Sequence, residues 1–237
     1  MKKSIKLLAL LAMGAALAFA ACGSNSKVGG QGGGAAAAEW VDLGLPSGLL
    51  WAKCNLGATK PEEYGDYYAW DETSTKEVYT WETYRYCTAV DEEGWVKTLS
   101  KYNTDSRYGT PDNLTTLQPS DDVATQKLGN GARMPTAREW RELIAYTTSE
   151  WTTENGVYGR RLTASNGESL FFPAAGGRYG SGLHGAGGSG VYWSSSLYAG
   201  DPDDAWDFDF YSGGQCVDII FFRPYGFSVR AVCASQN

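Results

Sequence analysis

Residues 169–233 read SLFFPAAGGRYGSGLHGAGGSGVYWSSSLYAGDPDDAWDFDFYSGGQCVDIIFFRPYGFSVRAVC. Two kinds of residue alternate along them. FFPAAG at 171–176, YWSSS at 192–196, Ala205-Trp206 and GFSVR at 226–230 have a structural character. Between these blocks lie Tyr179, Leu183, His184, Tyr198, Tyr211, Ile219, Ile220, Phe221, Phe222, Pro224 and Tyr225, an aromatic and partly apolar set without obvious order. Trp206, Phe208 and Phe210 alternate with Asp207, Asp209 and Tyr211. After the turn Ser212-Gly213-Gly214 the chain returns over 215–222, turns at 223–226, and alternates again from Phe227 to Val232. This pattern predicts three antiparallel strands. The apolar run 219–222 cannot alternate between core and water. It is either a strand buried on both faces or one that shows an apolar patch to solvent, as binding surfaces do.

Upstream, 157–164 and 169–172 flank Asn166-Gly167, a hairpin signal. A glycine-rich loop, 176–190, carries the sole histidine, His184. Two helices are expected. The first covers 120–128, with Ser120 as N-cap, Asp121 and Asp122 in the first turn, and Gly129 as the stop. The second covers 136–146, opened by the capping box from Thr136 to Glu139, with Trp140, Leu143 and Ile144 as its buried stripe. Residues 56–118 read as long loops held down by aromatics. Strands at 40–43 and 49–55 bracket a Pro46/Gly48 turn.

The N-terminus has a different character. Residues 1–22 have an export-signal pattern: Lys2-Lys3, an apolar run over 7–18, then Ala20-Ala21-Cys22. A cysteine at that place resembles a bacterial lipobox, in which Cys22 is lipidated and anchors the chain to a membrane. Ordinary cleavage after Ala20 is the alternative. Residues 23–38 are a Gly/Ala tether without apolar surface to order it. The remaining 39–237 suit one domain. The chain is 43% hydrophobic and 14% aromatic, with 30 glycines, which suggests a loop-rich fold pinned by aromatic packing. Its formal charge is −7, and loss of a leader with three lysines takes it to about −10. That balance argues against nucleic acid and against docking on anionic lipid.

Catalytic and metal signals are weak. Asp201, Asp203, Asp204, Asp207 and Asp209 could offer calcium its oxygens, but the spacing lacks the D-x-D-x-D-G order, and a solvated acidic stretch fits better. His184 has no evident nucleophile or orienting carboxylate. Ser194, Ser195 and Ser196 lack a G-x-S-x-G elbow. Cys54, Cys87, Cys216 and Cys233 form no C-x-x-C, and their spacing names no disulfide. The expectation is a binding protein, not an enzyme, without a cofactor.

Several blocks, in this order, carry a resemblance: VDLGL at 41–45, WAKCNLGA at 51–58, PEEYGDYYAW at 61–70, DDVA at 121–124, RMPT at 133–136, PAAG at 173–176, YWSSS at 192–196 and SVR at 228–230. Together they resemble the Bacteroidetes surface-protein domain related to the Fibrobacter succinogenes major paralogous domain. That resemblance implies an α+β fold of C-type lectin type, in the branch shared with the formylglycine-generating enzyme, with two helices, short antiparallel strands and long aromatic-rich loops. The tail Arg223-x-x-Gly226-Phe227-Ser228-Val229-Arg230 further resembles variable proteins diversified by retroelements, in which asparagine codons are rewritten at template adenines. Cys216, Asp218, Ile219, Ile220, Phe221, Phe222, Pro224 and Tyr225 are all types reachable from an asparagine codon, and the candidate variable region is about 176–233. The family's enzymes use a close cysteine pair near the chain end, which Cys216 and Cys233 do not match.

The resemblance implies an outer-membrane lipoprotein at the cell surface, displaying segments 179–184, 198–207 and 211–225 to an extracellular protein. The ligand-contacting set is Tyr179, Leu183, His184, Tyr198, Asp203, Asp207, Tyr211, Asp218, Ile219, Ile220, Phe221, Phe222, Pro224 and Tyr225. The rival ligand is a glycan, stacked on Tyr179, Tyr198, Trp206 and Tyr211 with calcium. A formylglycine-generating type of oxidase is the remoter alternative. The absence of acidic residues at 23–27 leaves the periplasmic face of the outer membrane open as the destination.

Overall fold

The computed structural model describes residues 38–235. The expected leader, the expected lipidation of Cys22 and the expected tether up to residue 37 lie outside the described residues. The fold mixes helix and strand, with strands predominating: 11% helical and 40% strand. In chain order the elements are β1 (Trp40–Asp42), β2 (Leu49–Ala52), β3 (Cys87–Val90), β4 (Val96–Leu99), α1 (Val123–Leu128), α2 (Ala137–Ala145), β5 (Thr147–Glu154), β6 (Val157–Ala164) and β7 (Ser169–Pro173). There follow β8 (Gly177–Tyr179), β9 (Gly182–His184), β10 (Ser189–Leu197), β11 (Asp204–Tyr211), β12 (Gly214–Phe222) and β13 (Val232–Ala234). They form small antiparallel sheets ordered β1-β2-β13, β10-β11-β12, β3-β4, β5-β6-β7 and β8-β9.

The second helix forms as its sequence dictates. Thr136 Oγ1 accepts from the Glu139 N–H, and Glu139 accepts from the Thr136 N–H, satisfying two donors that a helix start leaves open. The first helix is shorter than expected. It starts at Val123, and its cap is Asp122, not Ser120, because Asp122 accepts from the N–H groups of both Thr125 and Met134. Asp121 is drawn away into a buried cluster with Lys101, Tyr86 and Tyr102. The hairpin at Asn166-Gly167 forms between β6 and β7, with Gly167 at φ +87°.

Three expectations change. The third partner of β11 and β12 is β10, not the segment after Tyr225. Phe227 instead bridges Tyr68, and Ser228 bridges Tyr192. The glycine-rich loop contains the β8–β9 hairpin. An additional eight-residue strand, β5, pairs with β6 along its whole length. Its sequence TTSEWTTE is almost wholly polar, so apolar alternation could not reveal it, although threonine suits a pleated edge.

The main core lies between the β10-β11-β12 sheet and α2. Trp140 stacks on Phe208 at 4.8 Å between ring centroids, and Phe172, Tyr192 and Phe210 close around them. Full burial of each such ring contributes about 1.5–3 kcal/mol. On the other side of the same sheet, Val191, Trp193 and Ala205 meet Phe227 and Val229 in a second core.

Two fully buried arginines hold the ends of the 223–230 tail. Arg230 donates to Asn55 Oδ1 through Nε and Nη2 (3.0 and 2.7 Å) and to the carbonyls of Ala52, Lys53 and Phe171. Arg223 forms an ion pair with Asp71 (2.8 Å) and donates to Tyr84 and to the carbonyls of Lys101, Tyr102 and Pro202. Both guanidiniums thus spend their donors inside the protein, as burial of a charge requires. They tie the tail to loops from distant parts of the chain and leave β12 and the 223–226 turn with fixed ends.

Candidate ligand-binding face

The register of the β10-β11-β12 sheet assigns its faces. Asp207 lies opposite Trp193 and Ile219, Asp209 opposite Val191 and Cys216, and Ala205 opposite Phe221. Cross-strand partners share a face, so Asp207, Asp209, Cys216, Ile219 and Phe221 lie on the side away from α2. The segment from Phe227 to Val229 covers this side towards β10. Towards β12, Cys216, Ile219 and Phe221 stay half-buried.

Above this side runs a line of aromatic rings. Tyr179 on β8 meets His184 on β9 at 5.4 Å and Tyr225 at 4.5 Å. Tyr225 meets Phe222 at 5.7 Å, and Phe222 meets Trp95, from the turn between β3 and β4, at 5.4 Å. Phe221 joins through Phe227 at 5.2 Å. The contacts are mostly edge-to-face, an orientation the ring quadrupoles favour. Trp95 is 47% exposed, so the line ends in an open indole. Each ring sits on a constrained backbone. Arg178 and Gly226 exchange both N–H···O bonds (2.8 and 3.0 Å), which fixes Tyr179 beside Tyr225. Gly226 itself admits no side chain, since a Cβ there would stand 2.5 Å from the Tyr79 ring.

The face carries charge that burial disfavours. Desolvation pushes the Asp209 carboxyl up to about 6. Burial first, then Tyr225, Asp207 and Asp209, hold the Tyr179 phenol well above its usual range. Asp203, at the β11 end, is pushed up to about 8 by desolvation and then by Asp204 and Asp201. Among the described residues no cluster of three or more His, Cys, Asp or Glu side chains is arranged to hold a metal ion. No helix among them is long and apolar enough to cross a membrane.

Of the expected contact residues, the structure brings Tyr179, His184, Phe221, Phe222 and Tyr225 together, with Ile219 beside them. Leu183, in the middle of β9, and Tyr211, at the end of β11, are exposed. Tyr198, Asp218 and Ile220 fall elsewhere. Tyr198 stands edge-on to Trp206 at 5.1 Å, and Ile220 lies opposite Trp206. Asp218 pairs with Arg141 of α2 at 2.9 Å. Asp203, Asp207 and Pro224 are buried, Asp207 completely, so in this conformation their side chains are shielded from any ligand. Trp95 escaped the sequence reading. Its only local signal is a lone tryptophan in the polar turn DEEGW, and its place over Phe222 depends on long-range packing.

The described cysteines, Cys54, Cys87, Cys216 and Cys233, are all free thiols. Ser194 Oγ donates to the Trp206 carbonyl and Ser196 Oγ accepts from the Ala137 N–H, so these hydroxyls tie strand to strand and strand to helix. Compared with known proteins, this chain matches no family model, no curated protein and no solved structure.

Proposed function

We propose that this chain is an exported, lipid-anchored binding protein. It presents a diversified C-terminal face on a C-type lectin-like scaffold to an extracellular protein, and it does so without catalysis. The observation that carries this reading is the aromatic line from Trp95 through Phe222, Tyr225 and Tyr179 to His184, set on a backbone that Arg223 and Arg230 pin from below. Aromatic side chains supply contact area at low entropic cost, and clustered aromatics dominate protein interfaces. Rigid ends with variable side chains between them suit a surface whose residues change while its fold does not. A stacked glycan draws less support, because the Trp206 ring is covered by the Arg141 guanidinium at 5.2 Å and by Tyr198. The outer surface of the outer membrane is the destination this reading requires.

The test is to sequence the DNA flanking the gene. The expected finding is a near-copy of the 3′ end beside a reverse transcriptase gene, differing where the copy has adenine. The differing codons should fall on Tyr179, His184, Ile219, Phe221, Phe222 and Tyr225, and spare Arg223, Gly226, Phe227 and Arg230. Differences centred on buried Trp193, Phe208 and Phe210 would overturn the assignment of the face. Absence of any copy would remove diversification from the reading.

A further inference from the structure

Arg178 points away from the aromatic line. Tyr179 on the same strand joins that line, whereas the Arg178 side chain lines a separate cleft of about 500 Å³, with Tyr67, Tyr79, Asp66, Thr75 and Ser181 around it. Its guanidinium lies 5.2 Å from the centroid of the Tyr67 ring. Among the described residues it has no carboxylate within ion-pair distance, and its side chain makes no hydrogen bond. The other cations near it are spoken for: Lys76, also on the cleft wall, pairs with Glu72 at 2.9 Å and donates to the Thr83 carbonyl. A half-buried arginine stacked on Tyr67 with no carboxylate in reach keeps its guanidinium donors open to a ligand. Five N–H donors in a planar fork match a carboxylate in two-point geometry.

The cleft is also built to stay in place. The Tyr67 hydroxyl donates to the Ala175 carbonyl, and the Tyr79 hydroxyl donates to the Tyr67 carbonyl. Tyr79 and Gly180 exchange backbone hydrogen bonds of 2.8 and 3.1 Å, and Arg178 is held by Gly226 on the other side. Ligand hydroxyls would find acceptors in Asp66 and Glu77 and two-way partners in Thr75 and Ser181. One carboxylate together with several hydroxyls is the chemistry of a sugar acid. The geometry points to a second binding site, independent of the aromatic face, in which Arg178 takes the carboxylate of a uronate-containing glycan and the cleft walls take its hydroxyls.

The test is calorimetric titration of the full chain with tri-galacturonate, and with its methyl ester as the uncharged control. The expected result is binding of the acid, little binding of the ester, and a loss of about tenfold or more in affinity on Arg178→Met. Because the Arg178 side chain makes no internal hydrogen bond and loses only its contact with the Tyr67 ring, the variant should unfold close to the wild-type temperature. Should it fail to fold, the Arg178 Nε–Hε resonance of the wild-type chain is followed instead, and it should shift with tri-galacturonate and not with the ester. Unchanged affinity in the variant, an unmoved Arg178 resonance, or equal binding of the ester would overturn the site. Stronger binding of an acidic peptide than of tri-galacturonate would overturn the glycan assignment.

Discussion

The two faces of the β10-β11-β12 sheet are made by the same three strands and obey different rules. On one, Phe208 and Phe210 meet Trp140 and Tyr192, every ring fully buried under α2. On the other, Val191, Trp193, Ala205 and Asp207 are buried under the 227–229 segment, whereas Asp209 on β11 and Cys216, Ile219 and Phe221 on β12 stay half-buried. The first face tolerates nothing but close packing. The second holds carboxylates that burial penalises and apolar side chains left half in water. The half-buried part of that side has less packing to lose than the α2 side, so substitutions there should cost less.

The comparison breaks most directly at Phe208. Phe208→Ala leaves a cavity under Trp140 and should cost about 3–5 kcal/mol in urea unfolding. A cost near that of an exposed substitution would mean that the α2 side is no better packed than the other, and the contrast would fall.

Smaller, and opposite in sign, is the effect of the carboxylates. The Asp209 carboxyl is raised from 3.8 to about 6, and Asp203 to about 8, both chiefly by desolvation. Below pH 3.8 folded and unfolded chains both keep these protons. Above it the unfolded chain releases them first, so stability is lost as pH rises towards the folded values. Asp121 and Glu139 have lowered values and act below this window. Thermal unfolding should therefore be higher near pH 5 than near pH 8. Asp209→Asn should reduce the slope between pH 4 and 6 without abolishing it, since Asp203 and Asp71 are raised through the same window, and should recover about 1–3 kcal/mol at pH 7. A flat profile in the wild-type chain would show that water reaches this face freely.

The sequence made one face far more legible than the other. Alternation of Trp206, Phe208 and Phe210 with Asp207, Asp209 and Tyr211 gave β11 and its orientation, and the Thr136/Glu139 box gave α2. Both signals are local and carry their own period. The run Ile219, Ile220, Phe221, Phe222 gave no orientation, and the structure supplies the reason. Ile220 lies opposite Trp206, Phe221 packs on the core with Phe227, and Phe222 packs on Trp81 and Trp95. A strand with apolar neighbours on both sides loses the two-residue period. Trp95 and Arg178 were invisible for a different reason. Each matters through residues distant in the chain, Phe222 for the one and Tyr67 for the other, and no local pattern encodes such meetings. Arg223 and Arg230 stood out only as ends of a motif. That both are buried became evident once Asp71 and Asn55 were in place beside them.

The smallest expected effect sharpens the comparison from the display side. Ile219 lies opposite Asp207, one step from Phe221, and is half-buried. If this face serves contact and not cohesion, Ile219→Ala should cost about 0.5–1 kcal/mol, well under the figure for a buried isoleucine. The measurement is the urea midpoint at constant slope, made beside Phe208→Ala in the same buffer. A cost of about 2 kcal/mol or more would place Ile219 in a core. Residues 219–222 would then be a strand buried on both faces, and the proposed binding surface would shrink to the rings of Trp95, Tyr179, His184 and Tyr225. A small cost keeps Ile219 and Phe221 available to the proposed contact, because a side chain that the fold does not need is one that can change without unfolding it.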